Sequence, residues 1–346
     1  MDASAETFSE ALLRWYDTHA RALPWRSPPG APPPEPYRVW LSEVMLQQTT
    51  TAAVGPNYTK FLARWPTAAA LAAADDAEVM AAWAGLGYYA RARNLLACAR
   101  VVVARGGAFP RTEIELRKLP GLGDYTAAAV AAIAFGERAA VVDANVERVV
   151  ARLDAIETPL PQARKAIRAR VDRLTPEQRP GDFAQAMMDL GASVCTPRAP
   201  RCALCPVAQQ CKGRAIGPER FPLKLPKPAK PLRRGKAFWI ETGGAVWLVT
   251  RPGSGMLGGM RALPDDGWSA RGDGIAPPPL GGPWTPAGSV RHGFTHFDIE
   301  LQLMLYSGND LARLDSDGAW WPLARIDEAG LPTLFAKAAR LALAQE

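Results

Sequence analysis

Over most of the first two hundred residues, apolar side chains recur every three or four positions, which is the spacing of an amphipathic helix. The proline-rich stretch from Ser27 to Pro36 excludes regular structure at that point. The pattern predicts helices over 6–20, from about residue 41, over 57–104 with breaks at 65–66 and 85–87, over 162–174, and over 182–194.

From residue 237 the pattern changes to short runs with alternating apolar positions. We predict strands at Ala245–Arg251, Trp284–Val290 and Phe294–Tyr306, followed by a helix over 333–345. The prolines of residues 212–236 favour an extended connector. The predicted organisation is therefore a mainly α region at 1–211, a linker at 212–236, and an α+β domain at 237–346.

The positive charge is concentrated in that connector. Lys plus Arg minus Asp plus Glu gives 24 − 21 = +3 for residues 1–211, 9 − 1 = +8 for 212–236, and 8 − 12 = −4 for 237–346. A localised basic segment points to nucleic acid more strongly than a basic average does.

The chain contains neither a signal peptide nor an apolar run of 18 residues. We therefore expect a soluble cytoplasmic protein, associated with the nucleoid if it is bacterial, with no membrane partner. Its five cysteines are odd in number and four of them cluster, which favours metal ligation over disulfides.

A glycine hairpin precedes the most apolar predicted helix. Gly121 and Gly123 allow backbone angles closed to other residues, the helix follows from Thr126 to Phe135, and Gly136 ends it. Backbone N–H groups at such a helix start are a good seat for a DNA phosphate. Taken alone, the motif is also compatible with an ordinary turn.

Two carboxylates stand out. Asp143 follows the apolar run at 139–142, where an acid is costly unless it is paired or used. Glu43 lies in the first turns of the helix predicted from about residue 41, where it could equally be a solvated helix carboxylate.

Four cysteines lie within 17 residues in a C-x6-C-x2-C-x5-C arrangement, namely Cys195, Cys202, Cys205 and Cys211. Four thiolates at this spacing can wrap one metal centre, and tetrathiolate zinc is one alternative. Cys98, in a helical alanine-rich run, is interpreted as an inert core residue.

These motifs, together with LSEVMLQQT at 41–49 and GLGYYARARNL at 85–95, resemble the MutY-type adenine DNA glycosylases of the endonuclease III superfamily. The resemblance implies a two-lobed helix-hairpin-helix glycosylase region with a 4Fe-4S loop, and a C-terminal domain similar to the Nudix (MutT) fold. It also implies a monomer that acts on double-stranded DNA containing adenine opposite 8-oxoguanine or guanine.

Carried over from that family, Glu43 is the general acid that protonates adenine and Asp143 stabilises the oxocarbenium sugar or captures it covalently. Tyr125 and Asn145 position Asp143 and the sugar. Tyr125 stands where bifunctional relatives have a Schiff-base lysine, so strand cleavage should be weak. The four clustered cysteines are the cluster ligands.

The resemblance also assigns DNA contacts to residues in three regions. They are Gln48 and Tyr88 near the base opposite adenine, Gly121, Gly123 and Arg26 in the helical region, and Phe294, Thr295 and His296 in the C-terminal domain. Tyr88 has core packing as its alternative role, and residues 294–296 could form a plain strand.

Three departures from the family pattern bear on function. The segment after Gly259 lacks the acid cluster of Nudix hydrolases, which favours recognition over pyrophosphohydrolysis. Ala144 replaces a family glycine, and Thr295 replaces a family serine. Two other functions stay open, a glycosylase for thymine or oxidised pyrimidines and a non-enzymatic iron-sulfur DNA-binding or redox module.

Overall fold

Two units divide the chain in the computed structural model, Met1–Pro226 and Lys227–Glu346. The structure describes residues 6–226, 229–252, 256–308, 311, 314 and 318–345. Across these residues, no helix combines the length and apolar character needed to cross a membrane.

The first unit is helical. Its helices are α1 (Phe8–His19), α2 (Pro36–Leu46), α3 (Thr51–Arg64), α4 (Ala68–Ala72), α5 (Asp76–Ala82), α6 (Ala90–Ala104), α7 (Glu113–Leu116), α8 (Asp124–Phe135), α9 (Ala144–Leu153), α10 (Arg164–Leu174), α11 (Pro180–Ser193) and α12 (Lys212–Ile216). The predicted breaks at Trp65-Pro66 and at 85–87 are present.

Helix α2 begins at Pro36, earlier than the predicted start near residue 41. Proline suits the first helical position because its φ is already helical and the N–H that it lacks would have no partner there. The proline-rich loop therefore ends by starting the helix that carries Glu43.

Helix α8 lies at the centre of the unit, and its residues from Thr126 to Ala134 are all buried. Helix α11 packs against both α8 and α9. It approaches closely because it carries glycine at the contacts, where a Cβ on Gly181 would lie 2.6 Å from the carbonyl oxygen of Ala132. Three helices that contribute to the site are thus held together by backbone contact.

Residues 212–226 belong to the first unit, which differs from the extended connector predicted for 212–236. Helix α12 packs on α9, and Phe221 is only 2% exposed. The N–H of Leu160 donates to the carbonyl of Leu223 at 2.8 Å. The aromatic and aliphatic side chains between the prolines find a core to pack on, and the prolines do not prevent this.

The second unit carries two sheets in its described residues. Its elements are β1 (Leu232–Trp239), β2 (Glu241–Thr242), β3 (Ala245–Thr250), β4 (Arg261–Ala262), β5 (Trp284–Gly293), β6 (Asp298–Tyr306), β7 (Gly318–Pro322) and α13 (Thr333–Leu343). One sheet has the order β1-β6-β5, with β1 parallel and β5 antiparallel to β6. In the other, β3 pairs with β2, β4 and β7.

Helix α13 covers the first sheet, burying Phe335 and Ala338 together with alternate side chains of β6 such as Ile299 and Leu301. The predicted strand over Phe294–Tyr306 is shorter in the structure. Residues 294–297 form the turn between β5 and β6, closed by a 2.8 Å bond from the Phe294 N–H to the Phe297 carbonyl. The predicted fold class, a helical region followed by an α+β domain, is confirmed.

Candidate active site

A cleft of about 990 Å³ opens in the helical unit. Its walls come from α2, the segment just after α2, the hairpin before α8, the start of α9, and α11. Glu43, Tyr125, Asp143 and Asn145 all line it. The structure therefore brings together, in one concave site, four side chains that are distant in sequence.

Glu43 is buried, with 4% of its surface exposed. The hydroxyl of Tyr125 donates to its Oε2 at 2.5 Å. Burial raises the pKa of Glu43 to about 7, while Tyr125 and the Arg26 guanidinium lower it and the charge of Asp143 raises it. The solvated helix carboxylate considered from the sequence is wrong, and this acid retains its proton close to neutral pH.

Tyr125 stays a hydrogen-bond donor under the same conditions. Its burial, followed by the nearby charges of Glu43 and Asp143, raises the pKa of Tyr125 well above its usual range. A neutral phenol that donates to one oxygen of Glu43 leaves the other oxygen of that carboxyl to carry the acidic proton.

Asp143 caps the N-terminus of α9. Its Oδ1 accepts from the Val146 N–H at 2.7 Å and its Oδ2 accepts from the Asn145 side-chain amide at 2.8 Å. An N-cap acid that accepts helix N–H groups is placed in a favourable field at the positive end of the helix. The orientation of the carboxyl group is thus determined at both oxygens.

Asn145 is itself positioned by Arg148. Its Oδ1 accepts from Arg148 at 2.8 Å, and Arg148 also donates to the carbonyls of Gly191 and Cys195. A Cβ on Gly191 would lie 2.6 Å from the Asn145 Cβ, so α11 fits against this residue only with glycine there.

The hairpin between α7 and α8 forms another part of the cleft wall, where Gly121 and Gly123 both line it. Gly121 has φ of +75°, and a Cβ there would lie 2.7 Å from the Asn94 Cβ. Gly123 is the N-cap of α8, and no side chain caps this helix. The exposed N-terminal end is therefore available to an anion.

Gln48 lines the cleft and is exposed. Tyr88 lies in the loop before α6 and is 52% exposed, so the core position considered for it is wrong. Arg26 also lines the cleft, but its side chain is only 7% exposed and donates to Asp189 at 2.7 Å. Its predicted DNA contact stays a prediction, while its pairing with Asp189 is observed.

Asp189 is a residue that the sequence reasoning missed. It is fully buried in α11 and accepts from the backbone and side chain of Arg21 as well as from Arg26. An acid inside the apolar run at 186–190 is the same signal that singled out Asp143, and it could have found this residue too.

The four clustered cysteines line one small cavity beside Arg152. Arg152 is 1% exposed and donates to the Cys195 thiol and to the carbonyls of Thr196 and Pro197. Within the part of the chain that the structure describes, no three His, Cys, Asp or Glu side chains are arranged to hold a metal ion. Cys98 lies elsewhere, fully buried, and burial raises its pKa to about 12.

The remaining predicted residues belong to the second unit. Thr295 and His296 are exposed in the turn between β5 and β6, and the strand considered for them is absent. Phe294 is half-buried. Its ring stacks on Phe297, with ring centroids 4.8 Å apart, and lies tilted against Trp268, with centroids 5.8 Å apart. One aromatic ring thus anchors a turn that presents a hydroxyl and an imidazole.

Two family models match the chain. Residues 41–176 match the HhH-GPD superfamily base excision DNA repair protein family, and residues 236–341 match the NUDIX domain. The first match contains the cleft residues from Glu43 to Asn145, and the second covers most of the second unit.

Among curated proteins, the chain is 35% identical to the adenine DNA glycosylase of Rattus norvegicus, over 92% of this chain and 74% of that protein. It is 42% identical to that of Mycolicibacterium smegmatis, over 60% of this chain and 69% of that protein. It is 37% identical to that of Homo sapiens over 77% of this chain, but the match spans only 58% of the human protein and 46% of the Arabidopsis thaliana one.

Among solved structures, a thermostable thymine-DNA glycosylase is similar with a TM-score of 0.55 and 32% identity, over 60% of this chain and 95% of that one. A trapped endonuclease III–DNA covalent intermediate is similar with a TM-score of 0.51 and 24% identity, over 60% and 94%. The latter likeness shows the fold of the helical unit.

The titration of Glu43 is testable directly. We expect its carboxyl, followed by carbon NMR, to titrate near pH 7, and its pKa to rise further in Tyr125→Phe because the hydrogen bond that lowers it is lost. Since the pKa of Glu43 in the folded protein lies above the ordinary value of 4.5, ionising Glu43 costs stability, and this cost grows as pH rises from about 4.5 to about 7.

The free energy of unfolding gives a second measurement. Relative to Glu43→Gln, the unaltered protein should lose stability across that pH window and not below it. A Glu43 titration near pH 4.5, or a Tyr125→Phe shift to lower pH, would contradict the burial argument.

Proposed function

The chain belongs to the adenine DNA glycosylase family, and we propose that it excises adenine mispaired with 8-oxoguanine or guanine from double-stranded DNA. The observation that carries this proposal is the buried Glu43 carboxyl, hydrogen-bonded to Tyr125, in the same cleft as Asp143. Breaking an N-glycosidic bond requires one group that gives a proton and one that stabilises a cationic sugar, and the two carboxyls suit these roles.

Glu43 supplies the proton. Adenine leaves poorly as an anion, so its N7 must be protonated as the bond to the sugar breaks. A pKa of about 7 keeps a large share of Glu43 protonated at neutral pH and still allows it to release that proton. Tyr125 occupies Oε2, so Oε1 is the oxygen that delivers it.

Asp143 acts on the sugar. As the bond breaks, positive charge develops on the deoxyribose. A carboxylate held in a fixed orientation stabilises this charge, or bonds covalently to the sugar before water enters. The bonds from Val146 and Asn145 hold Asp143 in orientation, so no reorganisation is needed when the charge appears.

Base removal is the main activity, with little strand cleavage. β-Elimination through a Schiff base needs an amine at the sugar, and the hairpin offers the Tyr125 phenol at the position where bifunctional relatives have lysine. That phenol is already committed to Glu43.

The four cysteines hold a 4Fe-4S cluster in this proposal. An all-thiol donor set around one cavity suits iron-sulfur ligation. The cluster would tie the loop at 195–211 to α9 through Arg152, and it takes no part in the steps above.

The two carboxyls can be tested separately from DNA binding. Glu43→Gln and Asp143→Asn each preserve shape and remove the acid function, so we expect single-turnover adenine release to fall by at least about 100-fold. Duplex affinity should persist because phosphate contacts supply most of it.

Glu78→Gln, at a surface ion pair on α5, is the control and should behave as the unaltered protein. Near-normal rates in Glu43→Gln would refute the general-acid assignment. Release of thymine from T:G duplexes as fast as release of adenine from A:G duplexes would instead indicate a thymine glycosylase.

The cluster is tested by composition. Anaerobically purified protein should contain four iron and four sulfide per chain, and Cys202→Ala should lower both, whereas Cys98→Ala should leave both unchanged because Cys98 is buried away from the cavity. Stoichiometric zinc without sulfide would overturn this assignment.

Discrimination between 8-oxoguanine and guanine is assigned in part to the second unit and in part to contacts of Gln48 and Tyr88 with the base opposite adenine. A flipped adenine looks the same from any duplex, so the information must come from the opposite base. Thr295 is exposed, and in this proposal its hydroxyl makes such a contact, worth on the order of 1–3 kcal/mol. We expect Thr295→Ala to narrow the single-turnover preference for A:8-oxoguanine over A:G by at least about fivefold.

Ser307→Ala, an exposed residue just after the other end of β6, is the matched control. Removing the whole second unit tests the same assignment. The truncated protein should end after Pro226, because Phe221 belongs to the core of the first unit. An unchanged preference in both altered proteins would leave recognition of the opposite base to Gln48 and Tyr88 alone.

A further inference from the structure

Two surface loops, residues 47–50 between α2 and α3 and residues 83–89 between α5 and α6, share an unusual backbone feature. Gln48 has φ of +56° and Tyr88 has φ of +49°, so both are non-glycine residues in the left-handed region. Such positions persist only where the surroundings determine them, and they concentrate at functional sites. Both residues are exposed, so burial in the hydrophobic core does not explain the conformation.

One buried guanidinium joins the two loops. From Nη1, Arg91 donates to the carbonyls of Val44 at 3.1 Å and Met45 at 2.9 Å, in the last turn of α2 before Gln48. From Nη2 it donates to Thr49 Oγ1 at 3.1 Å, and to the carbonyls of Leu86 at 2.6 Å and Gly87 at 3.0 Å.

The surroundings of Arg91 make these bonds strong. The residue is 8% exposed, and its guanidinium lies 5.3 Å from the Trp83 ring centroid and 5.6 Å from that of Tyr88. Trp83 also donates to the Gly87 carbonyl at 3.0 Å. Charge-assisted hydrogen bonds in a water-poor site are stronger and more directional than those at the surface.

We propose that Arg91 is the positioning residue that couples the Gln48 and Tyr88 loops into one rigid reader of the base opposite adenine. The proposal rests on the function proposed above, in which Gln48 and Tyr88 contact the base opposite adenine. Side chains that recognise a base by direct contact tolerate little displacement, so the two loops must keep their positions relative to each other.

Only a planar fork can make this connection. Five acceptors, two in the last turn of α2 and three in the two loops, are served by two nitrogens of one guanidinium. The ammonium of lysine has three donors on one nitrogen. Arg91→Lys therefore keeps the charge and breaks the link. Arg100 provides the matched control, because it lies on the same helix and also donates to backbone carbonyls, those of Ala72 and Ala74.

The first experiment measures loop order without relying on activity. The Thr49 N–H donates to Leu46 and the Leu86 N–H donates to Trp83, so both amides report on the loops. In Arg91→Lys we expect about tenfold faster hydrogen exchange at these two amides, the equivalent of losing one charge-assisted bond. Exchange within α8 should not change, and Arg100→Lys should leave all of these amides unaltered.

The second experiment measures recognition of the base opposite adenine. In full-length Arg91→Lys, the single-turnover preference for A:8-oxoguanine over A:G should fall by about tenfold, while affinity for a duplex without a mispair stays the same. Thr49→Val, which removes one acceptor of Arg91, should produce part of both effects and serves if Arg91→Lys does not fold.

Unchanged exchange at Thr49 and Leu86 would overturn the proposal, and so would faster exchange with an unchanged preference. An unaltered protein that releases no adenine would refute the proposed function instead, and the exchange experiment would still decide whether Arg91 couples the loops.

Discussion

The site depends on the backbone contact of α11 with α8 and α9. A Cβ on Gly181 would lie 2.6 Å from the carbonyl of Ala132 in α8, and one on Gly191 would lie 2.6 Å from Asn145 in α9. Helices that touch through their backbones have no side-chain layer to rearrange between them. The spacing between Tyr125 on α8 and Asp143 before α9 is therefore set by the covalent dimensions of the chain, and the cleft between them keeps its shape.

That rigid cleft explains how an acid can be buried there. Taking the Glu43 carboxyl out of water disfavours its ionised form, and the Tyr125 hydroxyl recovers only part of the lost hydrogen bonding. A loose wall would admit water and return Glu43 to its ordinary titration. The close fit of the helices thus keeps water away from Glu43, and the buried carboxyl keeps its proton as a result.

The sequence predicted the breaks between helices and the fold class because both depend on local signals such as Gly136, where α8 ends in a left-handed conformation. The cleft residues Tyr125 and Asn145 were named only through the resemblance to the MutY-type family. The sequence did not predict pairings made over long separations. Asp189 meets Arg26 across 163 positions, and Arg91 meets Val44 across 47. No spacing rule links such residues, since the partner is chosen by how helices pack.

The fold of residues 212–226 onto the helical unit has an evolutionary consequence. Phe221 closes the core of the first unit before Leu232 begins the first strand of the second. Ten residues, 222–231, separate Phe221 from that strand, and among the described residues each of the two hydrophobic cores is built from one unit. Gene fusion, or a change in the length of this segment, could join or replace the second module while the helical module keeps its own interior.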